Sequence, residues 1–256
     1  MSLPTVRVRV AGRYACFTRP ETKVERFTYP VMTPSAARNV LDAICWRPQM
    51  RWVVTTITVL KPIHTFSVLR NEVQTKLAPS AIKKWMRDPA SFEPLVAGAG
   101  QDTDATPRNT TLLYDVAYWI DAHPLVFDPG DDGTNTPVKY VEMLKRRVEK
   151  GQCFQRPYLG CREFAADFSP PRDDESPIEQ SLEIGRMLYD IAFAPDGNRA
   201  VFFDARLVNG VLDTDPARVL SDESRRAALL RCTHTGPASE PAAACREEVA
   251  PCSSRC

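Results

Sequence analysis

The sequence predicts an α+β protein: a ferredoxin-like or RRM-like β-α-β-β-α-β domain that carries a small β-hairpin-rich C-terminal extension. Two observations predict this class. Several segments alternate apolar and polar residues or are rich in β-branched residues, as strands are. Two other segments combine a helical apolar stripe with a proline at the first helical position. At 256 residues, the chain can bury a sizeable core as one large domain or as a main domain with an appendage.

The first three elements are a strand, a helix and a second strand. Residues 5–10 alternate strictly, which predicts a strand with valines on its core face and arginines on the other face. A helix is predicted from residue 34 to about residue 45, because Thr33 can cap its start and Pro48 cannot continue it. Residues 52–60 are rich in β-branched side chains, which favours a second strand.

The second half of the domain repeats this order after a long insertion. Residues 63–109 are predicted to be irregular apart from one short helix. A third strand is predicted over residues 111–122. The next helix is strongly signalled, since Thr136 can cap it and Gly151 can end it. A fourth strand is predicted over residues 158–168, which would complete a domain spanning residues 1–168.

The C-terminal part divides into an extension and a tail. Residues 169–212 predict a β-rich extension, because an Asp-Gly turn at residues 196–197 separates two apolar runs, as in a hairpin. From residue 213 to residue 256, alanine, proline, arginine and cysteine dominate, which predicts a disordered tail. Cys232 and His234 leave a metal site as the alternative in this tail.

The charge distribution points to a polyanionic partner. Residues 1–61 contain ten basic and three acidic side chains, a net charge of +7 in a chain whose total is +1. In residues 12–27, cations alternate with aromatic rings, a pattern suited to phosphates and unpaired bases. The alternative is a solvated loop with its rings packed beneath it. Without a membrane-length apolar run, a signal pattern or a Cys-x-x-Cys pair, we expect a cytoplasmic protein with no membrane partner and no metal.

Several segments resemble the CRISPR-associated Cas-five family, Dvulg (type I-C) subtype. They keep the family's order over roughly the first four fifths of the chain, and no resemblance is found from residue 213 onward. The segments are Tyr-Ala-Cys-Phe-Thr-Arg-Pro-Glu (14–21), Lys-Val-Glu-Arg (23–26), Val-Met-Thr-Pro-Ser-Ala-Ala (31–37), Trp-Arg-Pro (46–48), Val-Leu-Lys-Pro-Ile (59–63), Arg-Asn-Glu-Val (70–73) and Tyr-Leu-Gly-Cys-Arg-Glu-Phe (158–164).

This resemblance implies a function in CRISPR antiviral defence. The family is similar to other RNases of the RAMP superfamily, which act without a metal or cofactor and share the ferredoxin-like fold. Its members cleave the repeat transcript, pre-crRNA, at the base of a stem-loop. The ribose 2′-hydroxyl is the nucleophile, and the products are a 5′-hydroxyl and a cyclic phosphate. The family member then holds the 5′ handle of the crRNA in the type I-C interference complex, or Cascade, beside the backbone and large subunits.

The resemblance also implies the catalytic positions. In known members they are a tyrosine at the end of the first helix and a Lys-His pair at the start of the second. The matching residues here are Cys45, Lys139 and Tyr140, so the lysine alone is retained. We expect Lys139 to stabilise the phosphorane and Tyr140 to transfer a proton, with a pKa that Lys139 lowers. Cys45 could act as a thiolate if its pKa is also lowered. The alternative is that Tyr140 and Cys45 are packing residues.

Two other functions remain open. The departures at Cys45 and Tyr140 favour a non-catalytic subunit that only holds the crRNA handle. The basic N-terminal part would also permit a general nucleic-acid binder with affinity for duplex DNA. For any of the three, the candidate RNA-binding residues are Arg13, Tyr14, Phe17, Arg19, Lys23, Arg26 and Lys76.

Overall fold

The computed structural model describes residues 3–22, 24–73, 77–92, 105–130, 132–193 and 197–230. Within these ranges the strands are β1 Val6–Ala15, β2 Arg26–Phe27, β3 Met50–Val59, β4 His64–Val73, β5 Ala105–Val126, β6 Asp167–Ser169, β7 Leu182–Ala192, β8 Arg199–Val208 and β9 Val211–Asp213. The α-helices are α1 Pro34–Ile44, α2 Pro79–Arg87, α3 Pro137–Glu149, α4 Pro216–Val219 and α5 Glu223–Leu230. None of the helices in these ranges is long and apolar enough to span a bilayer.

The described strands form one largely antiparallel sheet, in the order β6-β1-β5-β3-β9-β8-β7. The long strand β5 is its centre. The C-terminal part of β5 pairs with β1 and β3, and its N-terminal part pairs with β4 and, in parallel, with the short β2. The predicted α+β class is therefore confirmed.

The two helices that the sequence signals most strongly begin as predicted. The Thr33 hydroxyl accepts a hydrogen bond from the Ala36 amide, and the Thr136 hydroxyl accepts one from the Lys139 amide. Both helices bury an apolar face against the sheet and contact each other. The buried residues of α1 and α3 are Pro34, Ala37, Val40, Leu41, Ala43, Ile44, Tyr140, Val141, Leu144 and Val148.

Two predictions about individual segments are wrong. The insertion predicted to be irregular contains β4, which forms a ten-residue antiparallel ladder with β5. The fourth strand, predicted over residues 158–168, begins only at Asp167. Before it, the chain turns back on itself, since the Leu159 amide donates to the Phe164 carbonyl at 2.8 Å. Gly160 makes this turn possible: its φ is +84°, and a Cβ there would collide with the Cys16 carbonyl oxygen.

The C-terminal part continues the main sheet. The predicted hairpin is confirmed as β7 and β8, and β9 joins it to β3. Residues 213–230 differ from the expected disorder, because they form α4 and α5 and bury Leu220 and Leu229, which are 5% and 1% exposed. Residues 231–256, which include Cys232 and His234, lie outside the described residues.

Candidate active site

The C-terminal end of α1 is fixed against α3 and β3. Arg147 of α3 donates from Nη1 to the Ile44 carbonyl at 2.6 Å, and Trp52 of β3 donates from Nε1 to the Cys45 carbonyl at 2.8 Å. These donors satisfy carbonyl groups that the last turn of a helix otherwise leaves without partners. The end of α1, where Cys45 lies, is thereby held beside α3, where Lys139 and Tyr140 lie.

Of the three predicted catalytic residues, Tyr140 is the one with a side-chain hydroxyl. Its side chain is 2% exposed, and burial raises its pKa above the ordinary value for tyrosine. The positive charge of Arg47 opposes this rise. The hydroxyl has no hydrogen-bond partner among the described residues.

Lys139 lies next to Tyr140 but does not have the predicted effect on its pKa. The Lys139 ammonium is exposed, donates to Asn135 Oδ1 at 3.1 Å and lies 5.8 Å from the centroid of the Tyr140 ring. The expected lowering of the Tyr140 pKa by Lys139 is therefore wrong: burial raises that pKa, and the cation that opposes burial is Arg47.

Arg47 is a candidate functional residue that the sequence analysis missed. It is exposed two residues after Cys45, and its Nη1 donates to the Trp46 carbonyl at 3.2 Å. Its charge opposes the rise in the pKa of Cys45 as it does for Tyr140. In the sequence, the Trp-Arg-Pro motif indicates the end of a helix and gives no sign of a role for the charge of Arg47.

Cys45 does not have the surroundings of a catalytic thiolate. Its side chain is fully buried, and burial raises its pKa although Arg147 and Arg47 oppose the rise. A thiol needs a lowered pKa and access to substrate to act as a base or nucleophile. The prediction of a thiolate is therefore corrected, and Cys45 fits the alternative role of packing the end of α1. In the ranges that the structure describes, no three His, Cys, Asp or Glu side chains are grouped so that they could share a metal ion.

The predicted RNA-binding residues of the basic segment are only partly available. Arg13 is exposed, with its guanidinium 5.1 Å from the centroid of the Tyr14 ring. Tyr14 is half-buried and packs against two other aromatic rings, Phe66 and Phe164. Phe17 is 2% exposed, so the prediction that it stacks on a base is wrong.

The remaining cations of this set differ in how far their charge is compensated. The Arg19 guanidinium lies 4.8 Å from the centroid of the Tyr29 ring and keeps a third of its side chain exposed. Arg26 is paired with Glu72 at 3.3 Å and Glu163 at 3.7 Å, which leaves it little net charge to offer a phosphate. Lys23 and Lys76 lie outside the described residues.

Helix α1 has eleven residues and is about 16 Å long, and Cys45 follows its last residue. The segment 152–160, which we call the α1-flanking loop, runs along this helix. Its Phe154 amide donates to the Ala43 carbonyl at 2.9 Å, and its Leu159 carbonyl accepts from the Cys16 amide at 3.1 Å. A cleft of about 210 Å³, with Phe17 of the basic segment in its wall, opens between this loop and the first half of α1.

These features define a class of protein: an α+β sheet protein with a basic surface and a site made of a tyrosine, a lysine and an arginine. The chain belongs to the CRISPR-associated Cas5 family. Residues 5–224 match the family model described as CRISPR-associated protein (Cas_Cas5). The match extends past residue 213, where the resemblance was expected to end.

Two similar proteins are both named CRISPR pre-crRNA endoribonuclease Cas5d. The protein from Mannheimia succiniciproducens is 44% identical over an alignment of 218 residues, and the match covers 82% of this chain and 95% of that protein. The protein from Thermus thermophilus is 42% identical over 194 residues, which are 76% of each chain.

Two solved structures have a similar fold. One is a functionally uncharacterized protein, SMU1763c, from Streptococcus mutans, with a TM-score of 0.58 and 18% identity over 85% of this chain and 96% of that one. The other is titled as a CRISPR-associated protein, with a TM-score of 0.57 and 22% identity over 82% of this chain and 91% of that one. At these identities the likeness concerns the fold alone.

Proposed function

We propose that this chain is an endoribonuclease that cleaves CRISPR repeat transcripts at the base of the repeat stem-loop. It would keep the 5′ handle in the type I-C interference complex, beside the backbone and large subunits, in the cytoplasm. The names of the two relatives, at 42–44% identity, support the activity. The observation that carries the proposal is the buried Tyr140, with the Lys139 ammonium 5.8 Å from its ring and the charge of Arg47 acting on its hydroxyl.

We also propose that residues 1–168, with the insertion 63–109, form a ferredoxin-like domain and that residues 169–212 are its extension. In chain order, β1, α1, β3, β5, α3 and β6 follow the β-α-β-β-α-β succession. The order β6-β1-β5-β3 within the sheet and the packing of α1 and α3 against that sheet support this arrangement.

The reaction is a transfer within the RNA itself. The ribose 2′-oxygen attacks the adjacent phosphorus, the bond from phosphorus to the 5′-oxygen breaks, and a cyclic phosphate and a 5′-hydroxyl result. The 2′-hydroxyl must lose a proton and the leaving 5′-oxygen must gain one. A tyrosine with a raised pKa keeps its proton at neutral pH, so Tyr140 is suited to donate to the leaving oxygen.

The two cations act on the charge that develops at the phosphate. The exposed ammonium of Lys139 lies 5.8 Å from the centroid of the Tyr140 ring, and the charge of the exposed Arg47 acts on the Tyr140 hydroxyl. A cation aimed at a developing negative charge stabilises the transition state more than the ground state, and removing one such group typically costs about 10²–10³-fold in rate. We therefore assign charge stabilisation to Lys139 and Arg47.

The test uses purified protein, the cognate repeat RNA and EDTA, with a 2′-deoxy sugar at the cut site as control. We expect cutting that resists EDTA and that the deoxy sugar abolishes. We also expect Lys139→Ala to lower the single-turnover rate about 10²-fold. The matched control is Lys145→Ala, which removes an exposed lysine of the same helix that pairs with Glu142.

The other outcomes identify the rival functions. Tight binding of the repeat without cutting would support a non-catalytic subunit that holds the crRNA handle. Equal affinity for unrelated duplex DNA would support a general nucleic-acid binder. A Lys139→Ala protein that cuts at the wild-type rate would remove Lys139 from the mechanism while leaving the activity in place.

A further inference from the structure

The α1-flanking loop presents a phenylalanine to solvent beside the candidate active site. Phe154 is 78% exposed, and no aromatic ring of the described residues packs against it. Its position is nevertheless fixed, because the amides of Phe154 and Gln155 both donate to the Ala43 carbonyl, at 2.9 and 3.1 Å. Ala43 lies two residues before Cys45, so the backbone of Phe154 is held at the end of α1 that Arg47 follows.

The elements that adjoin this loop carry exposed cations. Arg47 is exposed after the end of α1, and Arg146 and Lys150 are exposed on the last turn of α3 and just after it. Glu149 is an exposed acid on the same turn of α3. Trp46, which is 41% exposed, adds a second aromatic surface next to Arg47. Rings on a cationic surface suit a single-stranded nucleic acid better than an apolar protein partner, because phosphates meet the charges and bases meet the rings.

We propose that Phe154 positions the substrate by stacking on the first unpaired nucleotide beside the repeat stem. This inference rests on the proposed function, which has the cut at the base of that stem. The stem ends where the paired bases end, so the nucleotide next to the scissile phosphate offers an open base face. Phe154 holds that base while the α1-flanking loop and the cleft beside it lead the strand toward Arg13 and Arg19.

Binding measurements with an abasic site test the stacking directly. The first RNA is the repeat with a 2′-deoxy sugar at the cut, which prevents cleavage. The second RNA is the same molecule without the base at the first unpaired position. We expect Phe154→Ala to raise the Kd of the RNA that carries the base about 5- to 150-fold, the range of one base–aromatic stack. It should leave the Kd of the abasic RNA unchanged, and Phe154→Trp should bind within about threefold of wild type.

Two further measurements separate the alternatives. Phe193→Ala, which removes a ring that is 49% exposed at the end of β7, is the matched control and should change neither Kd. An equal loss of affinity for both RNAs, or no loss for either, would overturn the stacking role. The same holds for a Phe154→Ala protein that binds RNA normally but fails to bind a protein partner. If wild type binds as expected but never cleaves unmodified RNA, the proposed activity fails and the stacking remains.

Discussion

At the residue scale, Tyr140 combines burial with a hydroxyl that has no hydrogen-bond partner among the described residues. Burial raises its pKa, so the protonated phenol is the dominant form at neutral pH. Arg47 limits this rise, and its side chain is exposed. We therefore expect the two residues to divide the chemistry, with Tyr140 as the proton donor for the leaving oxygen and Arg47 as the cation for the phosphate.

This division predicts different responses to a substrate whose leaving oxygen is replaced by sulfur. We expect Tyr140→Phe to slow cleavage of ordinary RNA by about 10²–10⁴-fold. It should have little effect on RNA with a 5′-sulfur at the cut, because a thiolate leaves without a proton. Arg47→Gln should slow both substrates alike, by about 10²-fold. The measurement is the single-turnover cleavage rate of each variant on the two RNAs.

Arg206→Gln is the control for the arginine, because Arg206 is exposed on β8 and pairs only with the equally exposed Glu183 among its described neighbours. If the 5′-sulfur fails to rescue Tyr140→Phe, Tyr140 is not the proton donor to the leaving group.

At the element scale, one buried carboxylate connects α1, β3 and β7. Asp190 of β7 is 5% exposed and accepts from Arg38 Nε of α1 at 2.8 Å and from Arg51 Nη2 of β3 at 2.7 Å. Arg38 also donates to Asp42 at 2.6 Å. Burial and the Arg38 charge lower the pKa of Arg51, which shows that both guanidinium groups depend on the carboxylates for compensation.

We therefore expect Asp190→Asn to lower the free energy of unfolding by about 3–5 kcal/mol, because it leaves two buried guanidinium groups with one carboxylate between them. Urea denaturation measures the change. The matched control is Glu183→Gln on the same strand, whose exposed pair with Arg206 should contribute less than about 1 kcal/mol. Equal losses in the two proteins would contradict the role of burial in this network.

At the scale of the whole molecule, the extension and the main sheet are continuous. β9 pairs with both β3 and β8, and α5 packs against β7. Leu229 of α5 is 1% exposed in a segment whose composition predicts disorder. The end of the described chain is therefore part of the fold that supports α1, and through α1 it supports the site.

Leu229→Ala should accordingly lower the free energy of unfolding by about 2–5 kcal/mol, the usual loss for a buried leucine. Leu69→Ala on β4, where the side chain is 73% exposed, should change it by less than about 0.5 kcal/mol. Thermal or urea denaturation measures the change in the free energy of unfolding for each variant. No effect of Leu229→Ala would mean that residues 213–230 do not pack in solution.

The sequence by itself determined the elements with local signals: alternation in β1, caps and prolines at α1 and α3, and the pairing of β7 with β8 as a hairpin. These depend on residues a few positions apart, so they can be predicted without knowing what the element packs against. The family resemblance similarly located Lys139 and Tyr140, because motif positions are local.

The tertiary structure decided what depends on residues far apart in the chain. It buried Phe17 and Cys45, paired Arg26 with Glu72 and Glu163, and set the charge of Arg47 against the burial of Tyr140. It also held Phe154 against Ala43 and enclosed Leu229. Burial and pKa follow from contacts between distant segments, and local patterns carry no information about which segments will meet.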